Sequence, residues 1–555
     1  MTQGYPARFY MGLKHLKKPW YALLLLLTLL LVSPLLVIAA SLLQPYSDTW
    51  QHLAHTVLKD YVTQSLVLML GVSVGTFLLG TSTAWLTAMY EFPGRRLLTW
   101  ALLLPLAIPA YILAYTYTGM LDYTGPLQSG LRTLFGWQVN DYWFPDIRSL
   151  GGAIVMLSLV LYPYVYLLSR AAFTAQSGSV LEAGRSLGLG SVRCFTHLAI
   201  PAARPALAAG LTLVLMETLA DYGTVHYFGV STFTTGIFRT WFGLGELNTA
   251  AQLSTLLLIF IAVLMVVESG SRRRMRFYQG RSLKSGPLRR QALRGRKKYA
   301  ALALCFLPLF FGFLLPATQL FLWLAQTWQQ TLSNDFIGLM RNSFLLAAMA
   351  ACCCLILAVL LSFSHRMTAT LTASNTLLQA AKLGYAVPGT VIAVGVLVPF
   401  AALDHFIDAN MRTFFGYSTG LLLSGTLVAV IFAYAVRFVP LALQSIDAGY
   451  AKLSPNLESA ARSLGRSPAQ LLKDIHLPLL RRSLWTALLL VFVDVLKELP
   501  TTLILRPFNF NTLAVRAYEL ASDERLTDAA APALAIVAVG VLPVIAISRI
   551  MMRDT

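Results

Sequence analysis

Two pairs of acidic residues lie within otherwise apolar stretches of the chain. Glu217 is followed four residues later by Asp221, and Asp494 is followed four residues later by Glu498. Side chains four residues apart project from the same face of a helix. Carboxylate oxygens are preferred ligands of hard cations, and ionisable groups inside a membrane are costly enough to indicate function. The four acids therefore predict a translocation path, with Tyr222 beside it.

A structural role is the alternative for these acids. Lys497 lies three residues after Asp494 and neutralises one acid, while the other carboxylates bond helix ends or face interfacial water. The residues alone leave both roles open.

The composition places the acids in a membrane protein. Of the 555 residues, 57% are hydrophobic and only 12% are charged, which is too little polar surface for a soluble chain of this length. Windows of about 20 apolar residues, long enough to cross a bilayer, recur along the sequence. They predict twelve transmembrane helices, at 20–43, 62–90, 97–120, 149–170, 203–228, 250–268, 299–325, 337–363, 375–399, 418–436, 483–505 and 530–548.

The basic residues are distributed unevenly between the predicted loops. With the N-terminus inside, most of the 43 Lys and Arg fall on the inner side, so the positive-inside rule predicts that both termini are cytoplasmic. The segment 269–298 holds twelve basic residues and no acid. No aromatic stacking platform accompanies it, so it indicates a linker along the lipid surface rather than a nucleic-acid site.

The second half of the chain repeats the first at one constant offset, which is half the length of the chain. Six predicted helices in each half give both halves the same orientation, which favours a pseudo-twofold axis along the membrane normal. The sequence therefore predicts an all-α polytopic protein with six-helix lobes at 1–268 and 299–555. The superposed pairs include Leu187 and Leu464, Pro201 and Pro478, Glu217 and Asp494, and Asp221 and Glu498.

The most specific repeated feature is a pair of predicted cytoplasmic loops, at 180–201 and 457–478. Each predicts a short helix of small residues, a glycine that can take a positive φ, and a second helix that ends near a proline. Small residues allow another protein to approach closely. The loop residues are Glu182, Ala183, Gly184, Gly188 and Pro201 in the first copy, and Glu458, Ser459, Ala460, Ala461, Gly465 and Pro478 in the second.

Both loops resemble the signature loop of ABC-importer permeases, which reads Glu-Ala-Ala, three residues, Gly, nine residues, Ile, any residue and Leu-Pro. The second copy departs from it by placing Ser459 where the family has glutamate, with Glu458 one position earlier. Stretches between 217 and 241 and between 496 and 507 further resemble the fused, double-length permeases of ferric-iron importers.

This resemblance implies a type I, MetI-like importer fold in the bacterial inner membrane. A periplasmic or surface binding protein would deliver ferric iron, and an ATPase dimer would dock on the two loops from the cytoplasm. The cation suggested for Glu217, Asp221, Asp494 and Glu498 then becomes a transiently bound Fe³⁺.

The chain contains no Gly-x-x-x-x-Gly-Lys-Ser/Thr loop, which would hold the phosphates of ATP. We therefore predict a non-catalytic subunit with no cofactor of its own, and the resemblance places ATP and Mg on the partner ATPase. Its other partners are the binding protein and membrane lipids, with no nucleic acid.

Thiamine, polyamine and phosphonate permeases share this architecture, so these substrates stay open as alternatives to iron. A secondary transporter that uses its acids to couple to protons or sodium is a different class. The duplicated loops argue against it, because a carrier without an ATPase has no evident use for docking helices.

Overall fold

A computed structural model describes residues 7–138, 141–175, 186, 188, 190–273, 290–331, 334–369 and 371–553, and these are almost entirely helical. Long apolar runs form helices because a bilayer offers no water to bond the backbone. The α-helices are Ala7–Ala40, Asp48–Thr56, Leu58–Met89, Arg95–Ala101, Ala110–Leu121, Pro126–Phe135, Leu150–Ala175, Ser191–Cys194, Ile200–Ala220, Gly223–Tyr227, Phe233–Phe238, Leu247–Arg273, Arg296–Leu309, Leu315–Thr331, Asn334–Thr368, Thr372–Ala381, Gly389–Phe415, Leu427–Tyr450, Pro455–Ser463, Pro468–Gln470, Leu477–Leu496, Pro500–Leu505, Leu513–Ser522 and Ala530–Arg553.

Nine helices in the described part of the chain are long and apolar enough to cross a membrane. A tenth span forms if Arg95–Ala107 and Ala110–Phe135, which are bent by 90°, count as one. The predicted number of twelve stays a prediction. Two windows make up the difference: 483–505 contains three charged residues and runs past the end of the helix Leu477–Leu496, and 530–548 lies in the helix Ala530–Arg553, of which Ala530–Ile545 is the apolar part counted.

A helix break that ends on a proline occurs at matching places in the two halves. A proline has no N–H and disfavours the helical conformation in the residue before it, so a new helix starts after it. In the first half the 3₁₀ turn Leu104–Ala107 precedes Pro109 and the helix Ala110–Leu121, and in the second half Leu383–Ala386 precedes Pro388 and the helix Gly389–Phe415.

The second of these breaks corrects two predicted boundaries. The window 375–399 runs across the break, and the helix that can cross a membrane is Gly389–Phe415. The next window, 418–436, corresponds to Leu427–Tyr450. The run of apolar residues continues across the proline, but the helix does not.

The helices pack into two compact units, one formed by Met1–Pro45 and Leu339–Thr512 and the other by Tyr46–Gly338 and Leu513–Thr555. The predicted lobes, 1–268 and 299–555, follow the sequence repeat, and the units differ from them. The reason is an exchange of helices: the N-terminal helix packs against helices of the second half, whereas Leu315–Thr331 and Ala530–Arg553 pack against helices of the first half.

Close packing holds the N-terminal helix in its unit. Trp20 meets Phe363 edge to face, with the ring centroids 4.9 Å apart. At Gly395 a Cβ would lie 2.6 Å from the carbonyl oxygen of Pro34 and 2.7 Å from Cδ1 of Ile38. A small residue at such a contact is typical of helix packing in membranes.

The C-terminal end of the basic segment 269–298 forms an ordered contact in the unit that consists of Tyr46–Gly338 and Leu513–Thr555. Its residues Gln291–Ala292 form a short strand parallel to Tyr90–Glu91, and the N–H of Leu293 donates to the carbonyl of Glu91 at 3.0 Å. The predicted linker is thus anchored at its C-terminal end, while its residues 274–289 lie outside the described part.

We expect Gly395→Leu to destabilise the protein by about 1–3 kcal/mol, because the added side chain overlaps the N-terminal helix. Thermal unfolding of the purified protein in detergent measures this loss. Gly338→Leu is the matched control, since the position is also helical but a Cβ there meets nothing within 4 Å. Equal melting temperatures for the two variants would contradict the packing described above.

Candidate functional site

Asp221 lies where a long helix ends and a short one, Gly223–Tyr227, begins. Its carboxylate accepts hydrogen bonds from the N–H groups of Thr224 at 3.1 Å and Val225 at 3.0 Å, and from the Thr224 hydroxyl at 2.9 Å. Its backbone carbonyl accepts from Thr234 at 2.7 Å. The acid therefore satisfies backbone donors that the helix break leaves free.

Glu498 has the same role in the other half. It accepts from the N–H of Thr501 at 3.1 Å and of Thr502 at 3.2 Å, and both threonine hydroxyls also donate to it. In addition, Nη1 of Arg437 lies 3.3 Å from its Oε1. The side chains of Glu498 and Arg437 are only 3% and 14% exposed, so this is a buried ion pair.

Gly389 permits this arrangement. A Cβ at Gly389 would lie 2.6 Å from Oε1 of Glu498, and it would come closer still to Nη1 of Arg437 and to the Thr501 hydroxyl. The helix that starts at Gly389 can therefore approach the ion pair only because it begins with glycine.

The capping role has a sequence signal that the acid-pair interpretation overlooked. A threonine follows each acid at the third position, Thr224 after Asp221 and Thr501 after Glu498, and the two pairs superpose in the sequence repeat. Carboxylates that bond an N–H three residues ahead are typical of helix N-termini. The partner Arg437 gave no such signal, because it is 61 positions from Glu498.

The remaining two acids lie one turn earlier in their helices. Asp494 pairs with Lys497 at 2.8 Å, as the structural alternative predicted, and Glu217 lies in the last turns of Ile200–Ala220. Among the described residues, no group of three or more His, Cys, Asp or Glu could hold a metal ion. Ligation of Fe³⁺ by the four acids stays a prediction.

Tyr222, predicted to lie beside the path, is 1% exposed. It stacks on His226 with the ring centroids 5.0 Å apart. The hydroxyl of Tyr518 and Nδ1 of His226 are hydrogen-bonded at 2.5 Å. These rings form a polar aromatic cluster directly after Asp221, and no sequence pattern indicated Tyr518 because it lies 292 positions from His226.

The first predicted coupling loop is only partly described. Gly188 has φ +82°, as its predicted role at a helix end requires. The predicted second helix does not end near Pro201: it runs from Ser191 through the π-helical turn Phe195–Ala199 into Ile200–Ala220, of which Pro201 is the second residue. Outside the described residues lie Glu182, Ala183 and Gly184.

The second predicted coupling loop is described throughout. Its small-residue helix, Pro455–Ser463, ends before Gly465, which has φ +77°. Ala461 faces inward and packs with Phe363 and Leu471. Ser459 and Ala460 are exposed, and Pro478 is the second residue of the helix Leu477–Leu496.

The displaced acid of this loop has an internal partner. Glu458 forms an ion pair with Nε of Arg366 and lies 3.4 Å from Nε2 of His476. Arg366 also donates to the carbonyl oxygens of Tyr450 and Leu453, each at 3.3 Å. The loop is thereby bonded to the spanning helix Asn334–Thr368, which carries Arg366.

These contacts determine the protonation of Glu458. Burial raises its pKa, but the hydrogen bonds from His476 and Arg366 outweigh burial, so the net pKa lies below the ordinary value for glutamate. The acid is therefore ionised at neutral pH and stabilises the loop as an anion.

The solvent-exposed face of this loop offers an apolar contact next to small residues. Leu464 is 83% exposed and Leu457 is 45% exposed. An exposed leucine at the tip of a rigid, internally bonded loop is suited to bind a pocket on another protein.

Comparison with known proteins agrees with this arrangement. Residues 76–276 match the family described as binding-protein-dependent transport system inner membrane component. The chain is also 26% identical over 496 residues to a Haemophilus influenzae protein named Fe(3+)-transport system permease protein. That match covers 88% of this chain and 90% of the relative. The chain is a permease of a binding-protein-dependent ABC transporter. As a membrane subunit it is not itself an enzyme.

Two further relatives of this permease show how far the likeness extends. The ferric transport system permease protein of Actinobacillus pleuropneumoniae is 23% identical over 413 residues, which cover 70% of this chain and 56% of the relative. A Salmonella choleraesuis protein named for 2-aminoethylphosphonate transport is 29% identical over 233 residues, which cover 39% of this chain and 79% of the relative.

We expect acid to destabilise the second predicted coupling loop of the permease. A carboxyl group whose pKa is lowered on folding stabilises the fold above its unfolded pKa, and this stabilisation disappears as the pH falls through the folded pKa. Hydrogen exchange of Pro455–Ser463 should therefore become faster, relative to other helices, when the pH is lowered below the ordinary glutamate value. Glu458→Gln should exchange fast at neutral pH and lose this pH dependence. A pH dependence that persists in Glu458→Gln would assign the effect to another group.

We also expect Glu498→Gln to cost the permease about 3–5 kcal/mol of stability, because it leaves Arg437 buried without a counter-charge. Denaturant unfolding in detergent measures the loss. Adding Arg437→Met should restore much of it. Asp221→Asn is the control, since Asp221 forms no ion pair among the described residues and loses only a cap, worth about 0.5–2 kcal/mol. Equal losses for the two single variants would show that the ion pair contributes nothing.

Proposed function

We propose that this permease moves ferric iron, delivered by a binding protein on the outer side, into the cytoplasm. The observation that carries the proposal is the full-length match to the Haemophilus influenzae Fe(3+) permease, which covers 88% of this chain and 90% of the relative. Because the match covers similar shares of both proteins, the relative is about as long as this chain, which agrees with a double-length permease that contains the internal repeat.

In this proposal the chain is a type I, MetI-like permease with twelve spans in two pseudo-twofold lobes, and both termini lie in the cytoplasm. Two observations support the orientation. The basic segment 269–298 and both coupling loops fall on the same side of the predicted spans, and the positive-inside rule assigns that side to the cytoplasm.

The two coupling loops bind an ATPase dimer, which hydrolyses ATP with Mg. The left-handed conformation of both Gly188 and Gly465 and the exposure of Leu464 support this role. Because Arg366 and Glu458 bond the second loop to a spanning helix, movement of the ATPase would be transmitted directly to that helix.

Glu217, Asp221, Asp494 and Glu498, with Tyr222, lie along the translocation path, where Fe³⁺ binds transiently to carboxylate oxygen. Weak binding suits transport, because a tight site would hold the ion instead of releasing it. The hydrogen bonds at Asp221 and Glu498 hold these two carboxylates in fixed positions, so they need no rearrangement to meet a passing cation.

The test is uptake of radiolabelled ferric iron by cells that lack the gene, with and without its restoration, beside thiamine, spermidine and 2-aminoethylphosphonate. We expect iron uptake to return with the intact gene and to stop when ATP is depleted. Restored entry of another substrate, with iron unchanged, would overturn the assignment of iron. Iron uptake that continues without ATP would overturn the ATPase partner.

A substitution in the second coupling loop tests whether iron uptake depends on that loop. Leu464→Asp should abolish iron uptake and reduce co-purification of the ATPase about tenfold or more, because a charge replaces the exposed apolar contact. Leu134→Asp is the matched control: Leu134 is 75% exposed but lies on the predicted outer side. Uptake that survives Leu464→Asp, or that Leu134→Asp removes equally, would contradict docking at this loop.

A further inference from the structure

Arg170 is a buried cation with unmet hydrogen-bonding capacity. It lies near the end of the span Leu150–Ala175 and is only 5% exposed. Its Nε and Nη2 are fully buried and have no hydrogen-bond partner in the described part of the chain. Leaving a charged donor buried and unbonded costs several kcal/mol, so the geometry calls for an acceptor beyond the described residues.

Further arginines surround Arg170 in the same unit. Arg95 is 5% exposed; its Nη1 donates to the carbonyl of Thr87 at 3.2 Å, and its Nε pairs with Glu91 at 2.9 Å. The strand pairing at Gln291 places the preceding residue, Arg290, beside them, and Nε of Arg290 is also buried without a partner among the described residues. Among the described residues named as acting on the charge of Arg290, Glu91 is the one acid, against positive charges from Arg95, Arg96 and Arg170.

The electrostatics of the segment outside the membrane agree with this geometry. Burial lowers the pKa of the Arg290 guanidinium, and the neighbouring Arg95 lowers it further. Both effects mean that the positive charge of Arg290 is inadequately balanced by groups of the chain itself.

The sequence repeat provides an internal comparison. The helices Leu150–Ala175 and Leu427–Tyr450 superpose in the repeat, so Arg170 corresponds to Asp447. Asp447 is fully engaged: Nζ of Lys382 lies 2.7 Å from one of its oxygens, and the Ser362 hydroxyl donates to the other at 2.9 Å. The second half thus balances its charge internally at this position, whereas the first half gathers positive charge.

We propose that Arg95, Arg170 and Arg290 form a binding site for a phosphate group. The planar guanidinium group matches the oxygens of a phosphate and binds them with paired hydrogen bonds. Basic pockets between transmembrane helices at the membrane surface bind anionic headgroups. Exposed leucines on the adjoining helices, Leu97 at 58% and Leu304 at 47%, offer apolar surface to acyl chains, so the headgroup of an anionic phospholipid is the source that fits best, and free phosphate is the other.

Native mass spectrometry of the full-length, delipidated permease tests the site. Phosphatidylglycerol, diacylglycerol and inorganic phosphate are titrated separately, and the mass of the adduct identifies what is bound. We expect a phosphatidylglycerol adduct that diacylglycerol, which lacks the phosphate, does not give. Binding of inorganic phosphate alone would support the phosphate site but show that free phosphate, and not a lipid headgroup, occupies it. Equal adducts from phosphatidylglycerol and diacylglycerol would overturn the phosphate site.

Two charge-removing variants and a control locate the binding. Arg170→Gln and Arg290→Gln should each weaken binding about tenfold, which corresponds to about 1.4 kcal/mol, while Arg294→Gln, at an exposed position of the same segment, should not. The wild type should gain melting temperature when the lipid is added, and Arg170→Gln should not. Unchanged affinity in both Arg170→Gln and Arg290→Gln would overturn the proposal, and the second variant decides the matter if the first does not fold.

Discussion

Every backbone polar group of a membrane protein must find a hydrogen-bond partner within the protein, because hydrocarbon offers none. In this permease that constraint is most severe where long helices break and short ones begin. Asp221 and Glu498 meet it by accepting the free N–H groups of the short helices. The breaks, the threonines that follow them and the glycine at position 389 all depend on these two carboxylates.

The same constraint bears on transport. A carboxylate that already accepts two backbone N–H bonds is held rigidly and is partly neutralised by their dipoles. It can offer only a weak, short-lived ligand to a passing cation. A path lined by such groups differs from a storage site, in which all oxygens would be free to close around the metal. The structural role of the acids and their proposed role in the path are therefore compatible.

The described parts of the two halves differ in the contacts that hold this region of the repeat. The second coupling loop is tied to its unit by charge, through Arg366, Glu458 and His476. Among the described residues of the first half, the corresponding region contains an aromatic cluster, in which Trp85 contacts Phe173 and Phe195. The described parts of the two halves therefore differ in their contacts at this place in the sequence repeat.

Features that depend on local spacing could be predicted from the sequence: the membrane class, the short helix Pro455–Ser463 of the second loop, and the positive φ of Gly188 and Gly465. Features that depend on distant partners could not. Arg437 and Glu498 are 61 positions apart, and Tyr518 and His226 are 292 apart. Such pairs form only when packing brings helices together. Apolar windows likewise indicated helices correctly but extended across Pro388, where a single residue outweighs the hydropathy of its neighbours.

The packing of the N-terminal helix also has a consequence for biosynthesis. Pro34 meets Gly395, and well over half of the chain separates them. At about 5–20 residues per second, the ribosome completes the partner roughly 20–70 s after the first helix has been made. During that interval the helix resides in lipid without its permanent neighbour, and the second half must capture it as it emerges. The two halves are therefore interdependent during assembly, and neither can complete a unit from its own residues.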